Sequence, residues 1–194
     1  MKNILIIIIY FNLCLKHVFS TQPDIFIQST VNRASQILSK NISKEEKMNA
    51  LKNVAKETVD IKGIGYYSLG SARKNLNDDQ KKIYFDLFEN YFLKSFSSRL
   101  SEYTNPKINV ESKKVINENY TIVNSVLIST PDRPEVKIDW RIYTKNPEEP
   151  LIRDLIIEGL SLARTQKEEF ASILNSNDGD IKALFQTLEN FSKN

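Results

Sequence analysis

From Lys107 onward the apolar residues of this chain stop recurring every third or fourth position and begin to recur every second one. That switch constrains the fold more than any other feature. Alternating runs give strands with one apolar face, whereas the three-to-four repeat gives helices with one apolar stripe, and each must be buried on something. In VKIDWRIY, Val136, Ile138, Trp140 and Ile142 alternate with Lys137, Asp139 and Arg141. Ile108 and Val110 begin an earlier run, Tyr120 to Ser129 alternates through Ile122, Val126 and Ile128, and Leu151 to Ile157 forms a last one. PDRP at 131–134 and NPEEP at 146–150 are turns between them. Four successive strands with short connections predict an antiparallel meander, curved by its twist, with one apolar face.

Helical periods flank the strands. Ile27, Val31, Ala34 and Leu38 mark a first helix. Ser43 with Glu46 is a capping box, opening a second helix that carries Met48, Leu51, Val54 and Ala55. IKGIGYYSLGSARKNL, residues 61–76, reads as a short helix with Gly70 near its end. Its Gly63-Ile64-Gly65 lacks a preceding strand and a following GK[ST], so it does not make a phosphate-binding loop. A second box, Asn77 with Gln80, starts the longest helix, running to about Glu102. Along it Tyr84, Leu87, Phe88, Tyr91, Phe92, Phe96 and Leu100 form an apolar stripe, which Phe85, Leu93 and Tyr103 widen beyond one contact seam. Thr165 with Glu168 is read as a third box, and a last helix carries Ile181, Leu184, Phe185, Leu188 and Phe191. The predicted class is α+β: a curved four-stranded antiparallel sheet packed by N-terminal and C-terminal helices around an apolar pocket.

The first residues read differently. Lys2 precedes an apolar run from Ile4 to Leu15 broken by Asn12, and Ser20 follows. A charged start, a short apolar stretch and a small residue predict an export signal over residues 1–20, cleaved to leave a single domain of residues 21–194. Cleavage would remove Cys14 and His17, the only cysteine and the only histidine. The mature domain would then have no disulfide, no Cys/His metal site and no imidazole for a nucleophilic triad. Such a disulfide-free exported domain fits the periplasm. Loss of Lys2 and Lys16 leaves 25 basic against 24 acidic residues, too even a balance to predict nucleic-acid binding.

Asp154 and Glu158 are the carboxylates with a conceivable catalytic use. On one strand they would stand about 13 Å apart at roughly 3.3 Å per residue, beyond the roughly 5–9.5 Å of a glycosidase pair. A bend at Gly159 would be needed to bring them together. The alternative expectations are therefore a carboxylate-based hydrolase or a non-catalytic scaffold module. Ser161 has no imidazole partner and is expected to make a hydrogen bond at the strand-to-helix corner.

Five blocks occur in order: LG-(x)3-K at Leu69 to Lys74, N-(x)2-Q-(x)4-F from Asn77 to Phe85, VKIDWRIY, D-(x)3-EG-L-S-L from Asp154 to Leu162, and the Glu169-Phe170 pair. Together they resemble the MlaC (toluene-tolerance) family. The chain departs from its usual pattern at Gln166 and Lys167, where an aromatic followed by arginine is common, and at Ser71, Ala72 and Arg73. The resemblance implies a periplasmic phospholipid carrier, not an enzyme, with phospholipid as cargo and no cofactor or metal. It would exchange lipid with an inner-membrane substrate-binding and ABC transporter complex and with an outer-membrane lipoprotein complex, supporting outer-membrane lipid asymmetry. The lipid-binding residues expected on that basis are Tyr67, Leu69, Phe88, Phe92 and Phe96 from the helices, Val126, Ile128, Val136, Ile138 and Trp140 from the sheet, and Ile156 and Leu160 at the seam, with Arg73 and Lys74 near the headgroup.

Overall fold

The computed structural model describes residues 21–193. The expected export signal, residues 1–20, lies outside the described residues. Helices α1 (Pro23–Ser39), α2 (Lys44–Thr58), α3 (Ile61–Ser68) and α4 (Asp78–Leu100) come first. Strands β1 (Ile108–Asn117), β2 (Tyr120–Leu127), β3 (Val136–Tyr143), β4 (Leu151–Ile157) and β5 (Leu160–Ser161) follow, and α5 (Leu162–Asn175) and α6 (Ile181–Lys193) close the order. The α+β class holds. Among the described residues no helix is long and apolar enough to cross a membrane.

Two capping boxes form as the sequence requires. Ser43 Oγ accepts from the Glu46 amide at 3.2 Å while Glu46 accepts from the Ser43 amide at 2.9 Å, and Asn77 and Gln80 do the same at 2.8 and 3.1 Å. The third expectation is corrected. α5 begins at Leu162, not after Thr165, and its N-cap is Ser161, whose hydroxyl accepts from the Arg164 amide at 3.1 Å. Thr165 lies inside the helix, its hydroxyl donating to the Ser161 carbonyl at 3.1 Å. Ser161 wins because a distant carboxylate, described below, holds it in place.

The sheet is an open antiparallel meander in the order β1-β2-β3-β4-β5. It has five strands where four are expected. Glu158 and Gly159, both at positive φ (49° and 82°), make a two-residue hairpin that folds a short fifth strand onto β4, pairing Ile157 with Leu160. Both central residues of such a turn need positive φ, which glycine supplies freely.

Register decides the faces. Trp140 pairs with Val123 and Leu155, Ile138 with Ser125 and Ile157, and Val136 with Leu127. The helix-covered face of β2 is therefore Thr121, Val123, Ser125 and Leu127. Ile122 and Val126, expected beside Trp140, point to the opposite face, opposite Arg141 and Lys137. Ile156, paired with Asp139, joins them there. The alternation in β3 was legible, but β2 carries apolar residues in both phases, and only pairing with β3 selects one.

α1 lies on β1 and β2, α3 and α5 lie on β4, and α4 packs between α2 and α6. One core joins Ile27 and Val31 of α1, Tyr84 and Phe88 of α4, Val123, Trp140 and Ile142 of the sheet, and Leu184 and Leu188 of α6.

Candidate functional site

The aromatic stripe of α4 faces this core in a gradient. Phe88 is 1% exposed, with Phe92 and Phe96 at the half-buried margin one and two turns on. Their rings form a continuous row, 6.1 Å from Phe88 to Phe92 and 5.9 Å from Phe92 to Phe96, the latter pair stacked within 8°. Phe170 of α5 meets Phe88 edge-on at 6.1 Å. Tyr84 is fully buried, its hydroxyl donating to the Gly65 carbonyl at 3.0 Å, and burial pushes its phenol far above the ordinary range. Gly65 also admits the Phe88 ring, since a Cβ there would lie 2.9 Å from it.

In the sheet, Ile138 and Trp140 are buried, and Leu127, Val136 and Leu155 are half-buried against the same core. The Trp140 indole N–H donates to Ser125 Oγ at 2.8 Å, and Ser125 donates to the Ile138 carbonyl at 3.0 Å. Sequence reasoning missed Ser125. Its signal was a hydroxyl at an inward position beside the only tryptophan, whose buried N–H needs an acceptor.

Phe88, Ile138 and Trp140 belong to one buried cluster, against which Phe92, Phe96 and Val136 pack half-buried. Leu69 is buried nearby in the same core. The other expected residues fall elsewhere. Val126 and Ile156 belong to the far sheet face, and Ile128 is exposed beyond the end of β2. Leu160 is 59% exposed on the hairpin, and Tyr67 faces a different cleft. Arg73 and Lys74 stand exposed on a single 3-10 turn, Ala72–Lys74, away from the seam margin.

The cleft that Tyr67 lines has a volume of about 430 Å³ and lies between α3 and the far face of the sheet, with Ile122, Tyr120, Arg141 and Arg153 along its wall. Arg153 sits at a bulge, where the register slips between Arg141 and Ile142 of β3. Its Nε donates to Asp60 at 2.5 Å, its Nη1 donates to the Tyr120 hydroxyl at 2.9 Å, and its guanidinium lies 4.3 Å from the centre of the Tyr143 ring. Burial works against its charge, but the Asp60 carboxylate and, after it, the Tyr120 hydroxyl together more than offset this and hold Arg153 above its ordinary value. Gly63 makes room for the pair: a Cβ there would come within 2.6 Å of Arg153 Nε. Gly63→Ala is expected to lower unfolding free energy by about 1–3 kcal/mol through overpacking, despite alanine's better helix propensity. Urea unfolding checks this; an equal or higher midpoint would show that the pair moves aside freely.

The two carboxylates have structural work. Asp154 is 3% exposed and accepts from the Ser161 hydroxyl at 2.6 Å and the Ala163 amide at 3.0 Å, with Arg141 3.5 Å away. Glu158 accepts from the Lys137 amide of the neighbouring β3 at 2.6 Å. Asp154 thereby joins the middle of β4 to the start of α5, supplying a negative charge at a helix N-terminus. These commitments weigh against the hydrolase alternative. Among the described residues no cluster of three histidine, cysteine or carboxylate side chains is placed to hold a metal.

The family described as MlaC protein matches residues 28–190, nearly the whole described chain. The chain belongs to the MlaC family. Among curated relatives, the MlaC binding protein of the intermembrane phospholipid transport system of Haemophilus influenzae is 24% identical over 163 residues, covering 80% of this chain and 76% of its own. Among solved structures, a phospholipid-binding protein from Ralstonia solanacearum, determined in complex with a phospholipid, superposes with a TM-score of 0.75 at 17% identity. That match covers 89% of this chain and 98% of the other.

Proposed function

We propose that this protein is a periplasmic phospholipid carrier that takes acyl tails into the seam between α4 and the Trp140 face of the sheet. The observation that carries the reading is the half-buried apolar margin of Phe92, Phe96, Leu127, Val136 and Leu155 around a core already closed at Phe88 and Trp140. In a domain filled only by its own side chains, such a margin leaves apolar surface in water without return. In a carrier it is the surface a tail covers first as the Phe92–Phe96 ring pair parts from the sheet. Membership of the MlaC family supports the same reading, as does the phospholipid held by the Ralstonia protein.

Tail desolvation sets the requirement. At roughly 0.8 kcal/mol per buried CH₂, one chain of about 16 carbons represents on the order of 12 kcal/mol of transfer free energy, so unshielded passage through water is very slow. The seam need only match the bilayer, since a near-balanced equilibrium allows delivery. In this reading the direction of transfer is supplied by an inner-membrane ABC transporter complex, with an outer-membrane lipoprotein complex at the other end. Organic extraction and mass spectrometry of the purified mature protein test the proposal. Diacyl phospholipid near one molecule per chain is expected. Protein that emerges without lipid, and takes none from liposomes, would sink it.

A further inference from the structure

We propose that the α3 face carrying Lys62, Tyr66, Tyr67, Arg73, Lys74 and Lys167 is a docking surface for an anionic lipid bilayer. The face is rigidly mounted. Leu69 and Leu76 are buried and Ala72 packs against the core, so the intervening 3-10 turn has its apolar residues inward and Arg73 and Lys74 in water. On α3, Tyr66 and Tyr67 are 37% and 42% exposed side by side. Three of the four cations, Lys62, Arg73 and Lys167, are set beside an aromatic ring or the end of α3. Lys167 runs its stem across Gly70, at 3.2 Å from where a Cβ would lie, and sets its ammonium 5.2 Å from the centre of the Tyr67 ring. Lys62 stands 5.6 Å from the centre of the Phe85 ring, which in turn touches Tyr66 at 4.7 Å. Arg73 Nη1 donates to the Tyr66 carbonyl at 3.5 Å.

Among the described residues none of these four cations is in an ion pair, a condition they share with most other lysines and arginines of the domain. Cations without counterions beside half-exposed tyrosines match the headgroup layer of a bilayer. Phosphates there supply the missing negative charge, and amphipathic rings rest at the polar–apolar boundary. A protein partner would need carboxylates placed one by one against four long, mobile stems, whereas a phosphate surface meets them at any rotamer. Docking does not require the carrier reading, though it would bring the cleft lined by Tyr67 against the membrane.

Co-flotation of the mature protein with vesicles tests this, using neutral phosphatidylcholine alone and phosphatidylcholine with about 30% phosphatidylglycerol. Binding is expected to the anionic vesicles only, weakening as salt rises. At about 1 kcal/mol per basic residue near such a surface, the triple variant Lys62→Gln, Arg73→Gln, Lys167→Gln should bind about 100-fold more weakly. Removing equal charge at the exposed Lys40, Lys145 and Lys182 should cost far less. Equal loss in both triple variants, equal binding to neutral vesicles, or no binding by the parent would overturn the proposal, the last even if the same substitutions abolished a protein contact. Extraction of cargo from the parent is read separately: lipid-loaded protein that ignores vesicles refutes docking alone, and vesicle-bound protein without cargo refutes the carrier reading alone.

Discussion

Phe92→Asp is expected to cut retained phospholipid at least tenfold while leaving the fold in place. Phe92 lies in the middle of the α4 ring row, between Phe88 at 6.1 Å and Phe96 at 5.9 Å, and at the half-buried margin rather than in the closed core. Its position lets a carboxylate reach water in the empty protein, so the cost to folding stays near the loss of one half-buried ring, about 1–2 kcal/mol. A tail lying along the seam would seal that carboxylate from water, and burying an unpaired charge costs several kcal/mol. Since 1.4 kcal/mol is a factor of ten, loading should fall by tenfold or more. Phe92→Leu keeps the site apolar and should retain most of the lipid. Lipid extracted per mole of protein is the measurement, with circular dichroism showing that both variants fold. A folded Phe92→Asp protein carrying as much lipid as the parent would remove the tails from this seam. Trp140→Asp should also abolish retention, but it is a less clean probe because Trp140 is buried and its N–H is bonded to Ser125, so the fold itself would suffer.

Asp154→Ala is expected to be the most destabilising single change at the β4–α5 corner. The substitution removes a buried carboxylate that accepts from the Ser161 hydroxyl and the Ala163 amide, and it takes the counterion from Arg141. Hydrogen bonds to a charged group contribute about 1.5–3 kcal/mol each, and loss of a helix cap costs about 1 kcal/mol. The Arg141 side chain is 45% exposed, so its share is small. A total of about 4–7 kcal/mol follows, or a fall in midpoint on the order of 10–20 °C for a chain of this size. Asp154→Asn keeps one acceptor oxygen and should fall between parent and alanine variant. Thermal unfolding decides it; an unchanged midpoint for Asp154→Ala would mean that the corner is held by other contacts.

The boundary of α5 shows why part of the fold was hidden. Ser161 and Thr165 are equivalent as local N-cap signals, four residues apart, and Thr165 has the glutamate three positions on that completes a box. What selects Ser161 is Asp154, seven residues away in sequence and adjacent only after β4 and β5 fold together. The Gly63-Ile64-Gly65 stretch is similar. No local rule identifies these glycines as gaps for Arg153 and Phe88, because the groups they admit come from residues 90 and 23 positions further along. The pocket residues divide along the same line. Phe88, Phe92 and Phe96 share a face because helix geometry puts them there, whereas Val126 and Ile156 were placed beside Trp140 by hydrophobicity alone and lie on the other face.

The sequence by itself determined the order of the six helices and the first four strands, two helix starts, the faces of β3 and the motif blocks of the family, because each depends on residues within a turn or a strand of one another. Only the tertiary structure decided the phase of β2, the cap of α5, the Arg153–Asp60 pair and how far the α4 seam is closed. Those depend on which strands pair and in which register, a choice made by the summed burial of the whole sheet rather than by any residue's own preference.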